Sequence, residues 1–239
     1  ATRELERFKK DVERFQKHFD KFSITVDCDE AFEKYPELEH HGYWSDESHD
    51  QWYRVFSRGS LKFNGRLHGH YSQGLPVNLR KFLRIDRKPV TEADYSAMFP
   101  SLMYAGKGLK RPEGDLYAIG GYGLEVRPLL KKVMNTMINA QSRSKAMKAV
   151  VNICMSSENA SLRNFTYSEI GQMMDAITEK HKDISEDFFS DKGVSLMFQE
   201  SELAWAVLDA FMERGFPIIP IHDSFITTAE NQGTLMEIM

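Results

Sequence analysis

Two aspartates stand where a rigid backbone can hand a carboxylate to solvent. Asp94 closes the β-prone run PVTEAD (89–94), and Asp223 lies at the polar tip between the two apolar runs of FPIIPIHDSFITT (216–228). Magnesium prefers carboxylate oxygens completed by waters and phosphates, and two ions about 3.5 to 4 Å apart can hold the attacking and leaving oxygens of a phosphoryl transfer. Either acid alone is an ordinary turn residue. The pair gains weight from a set of cations elsewhere in the chain. Arg127, Lys131 and Asn135 recur every fourth residue, Asn139 extends the stripe, and Leu129, Leu130, Val133 and Met137 take another helix face. Pro128 suits a first helical turn, so Arg127 marks a helix start, where free amides and the dipole favour an anion such as a triphosphate. The plainer reading of this stripe is a solvated charged face. A third feature is Gln199, which leads Leu203, Val207 and Phe211 at four-residue steps. That spacing places an amide on an apolar face, where it must bond either backbone or a ligand such as a base edge.

The elements that position these residues read as α+β. Leu5, Phe8, Val12, Phe15, Phe19 and Phe22 form one stripe of a long N-terminal helix, and a short strand follows at 22–26. Residues 35–52 are a polar, acidic stretch; adjacent His40 and His41 there suit a solvated loop better than a metal site. After Asp94, Ser96 is expected to cap a short helix through Tyr104 that Gly106 and Gly108 stop. Helices are predicted near 127–141 and 143–155, and a third is opened by the capping box of Thr166 and Glu169. A further helix near 195–214 ends at Gly215, ahead of a hairpin with Asp223 at its turn.

Composition limits the alternatives. A chain of 239 residues with 41% hydrophobic and 28% charged content can bury a core. The opening ATRELERFKK lacks a signal-peptide core and no apolar run nears the roughly 18 residues of a spanning helix, so the expectation is a cytoplasmic protein with no membrane partner. Cys28 and Cys154 form no ligand-like pair. The net charge of -4 disfavours a protein that coats nucleic acid. Residues 54–88 are a local exception, a basic island of Arg54, Arg58, Lys62, Arg66, Arg80, Lys81, Arg84, Arg87 and Lys88.

In order along the chain, GRLHGHYSQGLP (65–76), EADYSAMFPSLMYA (92–105), RPLLKKVMNTMINA (127–140), FQESELAWAVLDAF (198–211) and PIHDSF (220–225) resemble the polymerase core of family A DNA polymerases. They are similar also to a group of small uncharacterised proteins from bacteria and their mobile elements. The resemblance covers roughly 54–239. It implies an α+β polymerase-like palm, an antiparallel sheet with helices, carrying a helical fingers insertion and a reduced thumb-like N-terminal segment. The implied division is 1–53 thumb-like, 54–105 first part of the palm, 106–190 fingers and 191–239 second part of the palm.

The resemblance also implies roles. Asp94 and Asp223 would hold two Mg²⁺ ions, with Mn²⁺ as a substitute, and Tyr95 would add its backbone carbonyl. Arg127 and Lys131 would hold the incoming triphosphate, with Tyr95, Phe99, Asn135 and Asn139 completing the nucleotide site. Arg66, Gln73, Gln199 and His222 would touch the primer-template. The departures are informative. Phe99 stands where the family has the glutamate that excludes ribose, and Asn139 stands where it has a tyrosine that stacks near the templating base. Ser224 replaces the glutamate after the second aspartate, as in single-subunit RNA polymerases. The expected activity is template-directed DNA synthesis from nucleoside triphosphates, with low processivity unless a partner helps. The alternatives are an RNA polymerase, primase or template-independent transferase and, from another class, a non-catalytic nucleic-acid-binding module.

Overall fold

A computed structural model describes residues 2–36, 51–157 and 164–239. The 35–52 loop with His40 and His41 lies almost wholly outside the described residues. The chain is α+β and divides into two compact units, one of residues 1–96 with 198–239 and one of residues 97–197.

The first unit is built on a five-stranded antiparallel sheet in the order β1 (Ile24–Val26), β4 (Leu83–Ile85), β5 (Lys88–Asp94), β7 (Ser224–Thr228), β6 (Ile219–Ile221). A separate hairpin pairs β2 (Tyr53–Ser57) with β3 (Ser60–His68). β4 and β5 join through Asp86 and Arg87, both at positive φ (49° and 66°), the backbone a two-residue hairpin turn demands. Helix α1 (Thr2–Phe19) follows the apolar stripe: Phe8, Phe15 and Phe19 are buried, while Leu5 near its start is exposed and Phe22 falls beyond its end. Phe15 lies edge-on to Trp52 and Trp205. The N-terminal helix is thereby part of the sheet unit's core rather than a free arm. Helices α2 (Cys28–Lys34), α3 (Val77–Arg80) and α9 (Gln232–Ile238) complete this unit, together with α8 (Gly193–Arg214) from Phe198 onward.

The second unit is helical. It contains α4 (Met98–Gly106), α5 (Arg127–Asn139), α6 (Arg143–Met155) and α7 (Tyr167–Lys180). Its core joins Leu129, Leu130, Val133, Met134, Met137 and Ile138 of α5 with Met147 and Val150 of α6 and Ile170, Met173 and Ile177 of α7. Thr166 and Glu169 form the reciprocal capping box at the start of α7. Ser96 does not cap α4. The N-cap is Ala97, at φ 51° with no side-chain cap, because the chain turns through a left-handed residue before the helix begins. α4 takes in Gly106 as its last residue, with Lys107 as C-cap, and Gly108 follows at a φ of 67°. Buried His181 donates from Nε2 to the Leu116 carbonyl (2.9 Å), and its Nδ1 pairs with the Tyr104 hydroxyl (3.0 Å), tying α4 and the 115–118 turn to the end of α7. Both thiols are free, and no helix among the described residues is long and apolar enough to cross a membrane.

Candidate active site at the ends of two adjacent strands

β5 and β7 run side by side in antiparallel register, Asp94 opposite Ser224 and Glu92 opposite Ile226. β6 and β7 join through the two-residue turn His222–Asp223, with His222 at φ 60°, the positive value that a tight hairpin requires of its first turn residue. The Tyr95 amide donates to the Asp223 carbonyl at 3.1 Å. Two segments more than a hundred residues apart therefore place their aspartates on neighbouring strand ends, one register step from each other. Asp94 is exposed and Asp223 half-buried, so both are accessible to a solvated ion.

A third acid, Glu200 on α8, lies close enough for both aspartate charges to act on it. It is 1% exposed and held by a two-bond fork from Arg66, Nε to Oε1 and Nη2 to Oε2, each 2.7 Å. Burial pushes the Glu200 carboxyl above its ordinary range, the charges of Asp223 and Asp94 push the same way, and the Arg66 fork pulls it back. Gln199, the neighbouring residue expected on the apolar face, is exposed instead, and so is Leu203. The physical reason is helical drift. A strict four-residue step advances about 40° beyond a full turn, so three steps carry Gln199 off the face that buries Val207 and Phe211. Glu200, Ala204, Val207, Leu208 and Phe211 follow the alternating spacing that holds one face.

Two of the other expected nucleic-acid residues, Gln73 and Arg66, are tied internally. Gln73 donates from Nε2 to the carbonyls of Leu67 and Pro220, both at 3.0 Å, and accepts from the Gly69 amide, so it staples β3 to β6. Arg66 serves Glu200. His222 sits with its ring 5.2 Å from that of His68, which in turn stacks on exposed Tyr53. Its Nδ1 is buried without a hydrogen-bond partner among the described residues. Burial, followed by the charges of Arg66, His68 and Arg80, depresses the His222 pKa to about 4, so the imidazole is neutral at physiological pH. Much of the basic island is likewise paired: Arg54 with Glu202, Arg80 with Glu92, Arg84 with Asp27 and Glu30, and Lys88 with Glu230.

In the helical unit, Arg127, Lys131, Asn135 and Asn139 are exposed or half-buried along α5, but each four-residue step drifts by about 40°, so they trace a slanting stripe rather than one face. Pro128 occupies its first turn, with no acidic side chain and no side-chain cap at its start. Arg127 forms a two-bond pair with Asp115, and its guanidinium carbon lies 5.6 Å from the Tyr117 ring centre. This contact holds the Asp115 carboxyl below its ordinary range. Exposed Lys131 has its ammonium 5.8 Å from the same ring. Asn139 donates to the Asn135 carbonyl at 2.7 Å. Phe99 packs against the helical core, while Tyr95 packs against the sheet core with its ring edge-on to Phe225.

No family model, curated protein or solved structure matches this chain. Its chemistry has to be read from the residues themselves. Among the described residues no group of three or more His, Cys, Asp or Glu side chains is arranged to hold a metal. Magnesium asks for less: one or two carboxylates, with water and substrate phosphates supplying the remaining oxygens. An exposed and a half-buried aspartate on neighbouring strand ends fit that donor set, and their charges are strong enough locally to act on buried Glu200.

Proposed function

We propose that the chain is a magnesium-dependent nucleotidyltransferase of the polymerase kind, extending a primer 3′ end under the direction of a template. The observation that carries this reading is the adjacency of Asp94 and Asp223 at the ends of β5 and β7, since the two acids lie more than a hundred residues apart in the sequence. On this reading the sheet is the palm and the helical unit the fingers.

Asp94 and Asp223, with the Tyr95 carbonyl, would hold the divalent ions. Bound there, Mg²⁺ would lower the charge on the reacting phosphate and favour the ionised primer 3′-oxygen. That oxygen bonds to the α-phosphorus as the bond from the α-phosphorus to the α,β-bridging oxygen breaks, and pyrophosphate leaves. Lys131, on the helical unit, is the cation proposed to bind the phosphates of the incoming nucleotide. Arg127 can join it by exchanging the Asp115 carboxylate for a phosphate. A binding-only module is less well supported, because Arg54, Arg66, Arg80 and Arg84 are engaged with acids of the same unit.

A labelled primer on templates that differ in the first unpaired base, with Mg²⁺ and one dNTP or NTP at a time, tests the reading. Incorporation that follows the template base is the expected result. Incorporation indifferent to the template would move the chain to the terminal transferases, and no transfer to any primer would remove the proposal.

A further inference from the structure

Glu92 lies two residues before Asp94 on β5, so both side chains leave the same face of the sheet, about 7 Å apart along the strand. Its Oε1 accepts the Ser224 hydroxyl at 2.5 Å and Arg80 Nη1 at 2.9 Å. Ser224 is the residue that follows Asp223 and pairs with Asp94 in the ladder. Arg80 is anchored by a second bond, from Nε to the Leu75 carbonyl at 3.1 Å. The side chains of Arg80 and Glu92 are only 15% and 28% exposed, so water screens this pair less than it would a surface pair. The Arg80 charge is felt at His222, beside Asp223. Left unbalanced, a fixed cation at that range would oppose the entry of a second cation between the two aspartates.

We propose that Glu92 is a positioning residue that sets the divalent-cation affinity of the Asp94–Asp223 pair, by neutralising Arg80 and by tying Ser224 to β5. This rests on reading the two aspartates as metal ligands. Glu92 touches neither substrate nor metal in this role; it acts through its two partners.

Binding of Mn²⁺ alone to the full chain, followed by electron paramagnetic resonance, separates the two ideas without any turnover. Glu92→Gln is expected to weaken Mn²⁺ about three- to tenfold, the range for one charge lost near 7 Å from a divalent ion in a largely aqueous field. Arg80→Gln should tighten it by a similar factor, and this variant keeps the test alive if Glu92→Gln fails to fold. The double variant should return to within about twofold of the wild type, because the local charge is balanced again. A purely structural Glu92 would instead make the double variant worse than either single one, which would overturn the assignment. Wild-type binding with unchanged affinity in Glu92→Gln and Arg80→Gln would overturn it while leaving the aspartate site intact. A wild type that takes up no Mn²⁺ would remove the metal reading and this inference together.

Discussion

His222 connects the site to acid stability. The unfolded chain takes up this proton near the ordinary pKa of 6.5, whereas the folded protein does so only near 4. Between those values the unfolded state binds more protons, so the stability owed to neutral His222 is complete above about pH 6.5 and is lost as pH falls towards 4. The full effect is at most roughly 3 kcal/mol. His18, His68 and His181 are also held below their ordinary pKa, mainly by burial, so they too should cost the wild type stability as pH falls below about 6.5. Urea midpoints between pH 7 and pH 4 should fall less steeply in His222→Gln than in the wild type. Parallel slopes would show that His222 titrates normally in the folded state.

At the scale of elements, the β2–β3 hairpin depends on a close approach to α8. A Cβ added at Gly65 would lie 2.7 Å from Ser201 Oγ and 2.9 Å from Arg54 Nη2, and its φ is +82°. Gly59, at the tip of the same hairpin, has φ +65° but nothing within 4 Å of such a Cβ. Gly59→Ala should therefore cost only the backbone penalty of about 1 kcal/mol, and Gly65→Ala clearly more, about 2 kcal/mol or above. Thermal unfolding of the two variants checks the order, and equal losses would contradict the packing account. The elements of this protein were unevenly legible in its sequence. Amphipathic spacing located α1, α5 and α8, the capping box marked α7, and two apolar runs around a polar tip gave the Asp223 hairpin. The β4–β5 turn was opaque because Asp86 and Arg87 take positive φ without the Asn-Gly pair that announces such a turn. Glu200 was missed because a four-residue stripe pointed to Gln199, and the basic island could not reveal its partners Glu200 and Glu202, which lie more than a hundred residues off in sequence.

The whole molecule is one interrupted unit and one continuous unit. Residues 97–197 carry their own buried cluster, from Met103 and Tyr104 to Phe188 and Leu196. Produced alone, that segment should keep its helical circular dichroism and melt in one cooperative transition; a gradual, non-cooperative melt would show that it needs the rest of the chain. The acid pair belongs wholly to the other unit, where β5 and β7 bring together Asp94 and Asp223 from its two separate stretches of chain. Single-nucleotide addition to a labelled primer-template with Mg²⁺ tests that pairing most directly, in the wild type, Asp94→Asn and Asp223→Asn. The predicted result is templated addition by the wild type and at least a hundredfold loss, about 2.7 kcal/mol of barrier, in each variant whose folding is intact. Wild-type rates in both variants would contradict the account.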